Sequence, residues 1–466
     1  MSEIHDLSAL ALVELYRKQS LSPVEAIRAI LANIERWEPA LHAAYRLDPE
    51  AALAAASASQ GRWRAGEPIG ALEGVPIMIK ENIATKGVPV PLGTAATILA
   101  PAAADAPPAA RVREAGAILL GKTTMPDYGM LSSGLSSFHA LTRNPWDLRK
   151  NPGGSSAGAA AGAAAGYGPL HIGTDIGGSI RLPAGWCGAF GLKPSLGRVP
   201  IDPPYLGRVA GPITRTVADA ALLMRVLARA DARDHMSLPQ QTTDWLALER
   251  DVKGVRIGLL LDIGIGLEVQ PEVRAAIEAA AATFAAAGAK VEPMRPFLTR
   301  AMLDGIDYFW RMRAWADLSA IEQERRSKVL PFIVDWARAA VPLSGLELFQ
   351  AFSQIFVMRH AANAACEPYD YVLCPTAPLP AFAAELACPS NDPMRPFEHI
   401  CFTVPFNMSE QPAASINCGY TSDGLPIGLQ IVGKRFDDLG VLQLAHCYES
   451  MRTAQRAWPS PPASAS

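Results

Sequence analysis

Apolar residues recur at helical spacing through 7–19 and 22–37, and an Ala-rich stretch follows at 50–65; the three predict helices. The second carries a full start signal, with Ser22 as N-cap, Pro23 at the first helical position and Glu25 to close a capping box. Then the period changes. Residues 74–80 (Gly-Val-Pro-Ile-Met-Ile-Lys) are a short apolar run bounded by turn residues, which predicts a buried strand ending in Lys80. A helix is expected over 108–116 and a strand over 117–120. Farther on, 216–229 and 271–288 read as helices, and 254–261, 289–292 and 369–374 as strands. Residues 413–432 read as a hairpin around Ser422-Asp423-Gly424, and 437–457 as a helix. Residues 298–366 are mostly helical, and their aromatics (Phe309, Trp310, Trp315, Phe332, Trp336) are expected in the core. Strands and helices alternate along most of the chain. That argues for the α/β class, with a large mixed, mostly central β-sheet covered by helices on both faces. The expected organisation is an N-terminal helical segment (1–66) packed on one α/β domain (67–458), followed by a disordered tail (459–466).

Composition narrows the function. Half the residues are apolar, 19% are charged and the net charge is −3, so nothing argues for nucleic acid or an anionic membrane as partner. The seven cysteines are odd in number and dispersed, with no C-x-x-C; they fit reduced thiols rather than a disulfide framework or a zinc site, and neither metal nor cofactor is expected. The first residues lack the basic-then-apolar signature of a signal peptide, which makes a cytoplasmic location the expectation. Residues 157–174 carry no charge, but they are mostly Ala and Gly, with Pro169 and His171 near the end. A buried helix is expected there rather than a membrane span. Gly158, Gly162 and Gly166 give that helix a bare face for close packing.

The chemistry gathers on either side of it. Ser155 in Asn151-Pro-Gly-Gly-Ser-Ser-Ala-Gly and Ser179 in Gly173-Thr-Asp-Ile-Gly-Gly-Ser-Ile-Arg-Leu-Pro each follow a Gly-Gly pair. Consecutive Gly-Gly-Ser amides can converge on one developing negative charge, so the pattern outlines a nucleophile with an oxyanion hole and a second serine to relay a proton. Two other patterns compete. Residues 116–123 match the P-loop letters G-x-x-x-x-G-K-[ST], yet the intervening residues are themselves the apolar strand and Pro126 interrupts any following helix. Residues 154–158 match the nucleophile elbow G-x-S-x-G at Ser156, yet polar loop precedes them and no downstream histidine (among them His171, His360, His399 and His446) has a telling context. A base is still needed. Lys80 is the best candidate, although a lysine at a strand end, taken alone, more readily fits a snorkelling side chain. An unperturbed lysine, with pKa near ~10.4, is almost wholly protonated at neutral pH, and burial without a counter-charge can lower that by roughly 3 units. The proposal therefore requires Lys80 to be buried and bonded to serine hydroxyls, not paired with a carboxylate.

Through 74–82, 121–126, 151–158, 173–183 and 188–200, and again at Pro405-Phe-Asn, Gln411-Pro-Ala-Ala-Ser and 424–433, the sequence resembles the amidase signature hydrolases, over about residues 5–455 in all. The resemblance implies a Ser-cisSer-Lys triad: Ser179 as nucleophile, Ser155 as the bridging residue with a cis peptide bond, and Lys80 as base. It implies an oxyanion hole made by the amides of Ile176, Gly177, Gly178 and Ser179, with Asp175 and Arg181 supporting the loop. It also makes 230–370 the variable, substrate-side part, and offers Tyr128, Gly129, Met130, Phe138 and the 309–336 aromatics as pocket walls. Their apolar character leans toward a small hydrophobic or aryl acyl group. The implied activity is hydrolysis of a small-molecule amide through an acyl-Ser179 intermediate, in a possible homodimer. The alternative implied is the glutaminase subunit of a tRNA-dependent amidotransferase. Against it, 300–370 lacks the Tyr-rich stretch and the arginine associated with glutamine capture.

Overall fold

The computed structural model describes residues 3–462. Among them, one sheet of eleven strands organises the chain: β1 (Ala44–Tyr45), β2 (Pro76–Lys80), β3 (Ile118–Thr123), β4 (Leu170–Asp175), β5 (Phe190–Lys193), β6 (Val209–Thr214), β7 (Arg256–Leu259), β8 (Lys290–Pro293), β9 (Tyr371–Pro375), β10 (Ala413–Tyr420) and β11 (Pro426–Gly433). Their order across the sheet is β1-β3-β2-β4-β6-β5-β10-β11-β9-β7-β8. β2 runs parallel to β3 and β4, and β7 runs parallel to β8 and β9. The other neighbours are antiparallel. The sheet is thus mixed, as expected.

Side chains on a strand alternate between faces, so each buried strand feeds two cores. Ile77 and Ile79 of β2 join the core built with the helices Val217–Leu227, Pro271–Ala286 and Asp438–Met451. Met78 between them joins Trp37, Leu120 and Tyr167 instead. In β9, Tyr371 and Leu373 belong to the first core, whereas Val372 and Cys374 pack with Trp310, Trp336 and Phe397. Helices therefore cover both faces.

The N-terminal segment supplies the helices Ala9–Arg17, Pro23–Leu41 and Pro49–Ala65 and also the edge strand β1, which the helical expectation for 1–66 did not include. The capping box forms: the Glu25 amide donates to Ser22 Oγ at 3.2 Å, and the Ser22 amide donates to Glu25 Oε2 at 2.8 Å. The buried helix expected over 157–174 covers only Ala157–Ala165. Gly166 ends it at φ 77°, and β4 follows. β4 reads Leu-His-Ile-Gly-Thr-Asp, with neither a clean alternation nor an unbroken apolar run, so its mostly uncharged residues gave no period to separate them from the Ala/Gly helix before them. β6 lies outside the strands the sequence predicts, and β5 falls in 188–200, a stretch rich in Gly and Pro that reads as turns and short extended pieces. The helical 298–366 resolves into Arg300–Ser319, Gln323–Arg326, Pro331–Arg338 and Gly345–Cys366. Of the expected tail, 459–462 carry no regular secondary structure, and 463–466 lie outside the described residues. No described helix is long and apolar enough to cross a membrane.

Candidate active site

Three parallel strands set the site. Lys80 closes β2, Thr174 and Asp175 close β4, and Thr123 closes β3, so their side chains gather at the carboxyl end of the parallel part of the sheet, where open α/β sheets bind ligands. Lys80 is fully buried. Its Nζ donates to Ser155 Oγ at 2.7 Å, to Thr174 Oγ1 at 3.0 Å and to Ser156 Oγ at 3.1 Å. Those three hydroxyls are its hydrogen-bonding partners, so the neutral amine can donate to two of them and accept from the third, and no carboxylate pairs with it among the described residues. Burial drives its pKa well below the ordinary lysine value, and the nearby Arg208 charge adds to that; Asp175 and Glu81 offset only part. A lysine so placed is held toward its neutral form. Asn82 Nδ2 donates to Thr174 Oγ1 at 3.2 Å and completes the cluster.

The peptide bond between Gly154 and Ser155 is cis. Ser155 and Ser179 both open on one cavity of about 320 Å³, while Ser156 is fully buried behind it and tied to both the amide and the carbonyl of Thr174. Ser156 is therefore not placed for the nucleophile-elbow role. No hydrogen bond joins the hydroxyls of Ser155 and Ser179; such contacts commonly tighten only around substrate. Gly129, at φ 68°, lies against Ser155, where an added Cβ would stand 3.3 Å from Ser155 Oγ.

The loop before Ser179 is held from behind. The Gly177 carbonyl accepts from Thr403 Oγ1 at 2.6 Å, and the Gly178 amide donates to Asp175 Oδ1 at 2.8 Å. This corrects the expected oxyanion hole: the Gly178 N–H is already used by the Asp175 carboxylate, and Gly178 does not line the cavity. Ile176, Gly177 and Ser179 do line it, and their amides have no partner among the described residues. Asp175 and Arg181 are both fully buried and pair at 2.9 and 3.1 Å. Burial alone would raise the Asp175 carboxyl, but the Arg181 charge and its hydrogen bonds outweigh it and hold the group well below the usual carboxylate range. Arg181 also donates to Thr403 O, Gln430 Oε1 and Asn407 Oδ1.

Of the expected pocket walls, Tyr128, Gly129 and Met130 line the cavity with Trp310 and Trp336. Phe138 does not; it packs edge-on against Tyr45 and His139. Trp310 and Trp336 thus serve both the core and the cavity wall, through edge contacts on Phe397. Sequence reasoning missed Thr174, Asn82, Thr403 and the cavity-lining Arg208, Arg313 and His399. It also passed over Arg313 when it found no suitable arginine in 300–370. His399 stacks on Trp186, and burial pushes its imidazole down to about 3, so it is neutral near pH 7. The P-loop match dissolves: 118–123 are β3 itself, and Lys122 is buried, donating to Thr85 Oγ1 at 2.6 Å and to the Ile83 carbonyl.

The fold and the site together define a mixed α/β hydrolase with a buried lysine–serine centre. The model of the Amidase family matches residues 25–442, and the chain belongs to the amidase signature family of hydrolases. It is 34% identical to a glutamyl-tRNA(Gln) amidotransferase subunit from Chloroflexus aggregans over 486 residues, covering 96% of this chain and 97% of that one. Among solved structures it is similar to a bacterial aryl acylamidase of the amidase signature family, with a TM-score of 0.89, 32% identity and 97% of each chain covered. It is likewise similar to the peptide amidase of Stenotrophomonas maltophilia, with a TM-score of 0.84, 26% identity and 98% and 99% of the two chains covered.

Proposed function

We propose that the protein is a free-standing amidase that hydrolyses a small carboxamide with an apolar or aryl frame. The observation that carries this reading is the Lys80 environment: a fully buried amine bonded to three hydroxyls and to no carboxylate. Lys80, neutral, is the base. Ser179 Oγ attacks the amide carbonyl while its proton passes through Ser155 to Lys80. The amides of Ile176, Gly177 and Ser179 receive the oxyanion, with Asp175, Arg181 and Gly178 fixing the loop that aims them. The relay returns the proton to the leaving nitrogen, the C–N bond breaks, and ammonia or an amine departs. Water, deprotonated by the same relay, then cleaves the acyl-Ser179 ester and releases the acid. The wall of Met130, Trp310, Trp336 and Phe397 supports an apolar acyl portion.

A second reading, the glutaminase component of an amidotransferase, is favoured by the name its curated relatives carry. One panel separates the two. Ammonia release is followed from glutamine, short aliphatic amides, benzamide and phenylacetamide, and amine release from anilides, with Ser179→Ala as the blank. Turnover of aryl or aliphatic amides with glutamine inert supports the amidase. Turnover of glutamine alone, or none until partner proteins are added, moves the assignment to the amidotransferase.

A further inference from the structure

The cavity holds two cations that no carboxylate among the described residues pairs with. Arg208 and Arg313 both line it, and neither forms an ion pair among the described residues. Among those residues, the only hydrogen bond from the Arg208 guanidinium goes to the Pro203 carbonyl, long at 3.4 Å. Arg313 rests its guanidinium over the Tyr205 ring, 4.0 Å from the centroid. One turn sets both: the Arg208 amide donates to the Tyr205 carbonyl at 3.0 Å, and Gly207 between them takes φ 74°, where a Cβ would stand 2.5 Å from Met408 Cε. The turn leads directly into β6, whose Val209 pairs with Asp175, so Arg208 is fixed next to the loop that carries Ser179. The arginines also work against one another, since burial and the Arg313 charge push Arg208 down to about 10. Of the acids nearby, Asp175 is committed to Arg181, while Asp202, whose charge offsets part of the push on Arg208, and the cavity-lining Asp317 are both exposed and form no ion pair with either arginine. Two like charges held together beside an apolar wall are poorly satisfied until an anion arrives.

Resting on the amidase reading, we propose that the substrate is an amide that also carries a carboxylate, received by Arg208 and Arg313 while its carbon frame packs on Trp310, Trp336 and Phe397. The reacting amide then lies between the cations on one side and Ser179 on the other. The carboxylate takes no part in bond making. It binds and orients.

Binding to the Ser179→Ala protein tests this without requiring turnover. Calorimetry compares 4-carbamoylbenzoate with benzamide, and succinamate with butyramide. The carboxylated member of at least one pair is expected to bind about tenfold tighter or more, as charge-assisted hydrogen bonds of this kind allow. Arg208→Gln and Arg313→Gln, each added to Ser179→Ala, are expected to abolish that preference, and Arg208→Lys to keep part of it. If Arg208→Gln fails to fold, Arg313→Gln, at a half-buried helix position, decides alone. Equal or tighter binding of the neutral member in both pairs overturns the proposal. So does a preference that survives the arginine variants, or no binding of either carboxylated amide at millimolar concentration. Failure of the amidase reading looks different: the wild-type protein would bind these amides and hydrolyse none.

Discussion

Replacing Asp175 by Asn removes the charge opposite a guanidinium that has no access to water. Arg181 and Asp175 are both fully buried and paired through Nε and Nη2 at 3.1 and 2.9 Å. Breaking a buried pair by removing one partner typically destabilises by about 3–5 kcal/mol, because the other charge stays behind uncompensated. Here Thr403 O, Gln430 Oε1 and Asn407 Oδ1 still accept from Arg181, so the lower end, about 3 kcal/mol, is expected. Arg181→Met leaves Asp175 with four donors, from the Gly178 and Ile180 amides, the amide of residue 181 itself and Asn407 Nδ2, and is expected to fall in the same range. The double variant strands neither charge, so its loss should be smaller than the sum of the singles by roughly 1–3 kcal/mol. Urea unfolding followed by tryptophan fluorescence at pH 7 measures all four proteins. The Asp175 carboxyl is depressed in the folded state, so its contribution is present above the unfolded value near ~3.9 and is lost only as pH falls through the lower folded one. The gap between wild type and Asp175→Asn should therefore be flat from about pH 5 to 8. Single variants within about 1 kcal/mol of wild type, or a double variant equal to the sum, would refute the reasoning.

Much of the site is legible in the sequence, and what is not has identifiable causes. Lys80, Ser155 and Ser179 stood out because reactive side chains sat beside glycine pairs or at the end of an apolar run. The structure brings Lys80 within hydrogen-bonding distance of Ser155 and opens both serines onto one cavity. Asn407 and Gln430 carried a signal too: a polar residue inside the fully buried Val404–Met408 and Pro426–Gly433 marks a buried hydrogen-bonding demand. Which demand they met could not be read, because Arg181 lies more than two hundred residues away in sequence. The Gly178 amide was assigned to the cavity because the family resemblance implies all four consecutive amides as one set. Only the position of the Asp175 carboxylate, three residues back, shows which of them it occupies. Arg208 and Arg313 were invisible for a similar reason. An isolated arginine is ordinarily a surface cation, and nothing local to either announces the other.

The remaining tests bear on the proposed chemistry. Ser179→Ala should abolish both turnover and labelling by a serine-reactive phosphonate; undiminished labelling, or label mapped to the buried Ser156, would sink the nucleophile assignment. Gly178→Ala should lower kcat about a hundredfold, since the residue sits at φ 126° and a Cβ would stand 2.5 Å from Thr403 Oγ1 and 2.8 Å from Leu182 Cδ1, displacing the loop that carries Ser179. Activity near that of wild type would mean that loop geometry does not limit the rate. The acid limb of the pH–rate profile probes Lys80 itself. The base must be neutral, so the rate falls as pH drops through its folded pKa, which burial and then Arg208 depress and Asp175 and Glu81 partly restore. Of these two acids, Asp175 is paired with Arg181 and Glu81 faces His139 Nε2 at 2.6 Å, which leaves Arg208 as the unpaired charge acting on the base. Arg208→Gln removes a like charge, makes protonated Lys80 easier to form, raises its pKa and moves the acid limb of kcat to higher pH on a neutral amide. His399, neutral through this range, should add no limb of its own. A limb that stays in place or moves to lower pH in Arg208→Gln would show that the group titrating there is not Lys80, and the proposed base would have to be abandoned.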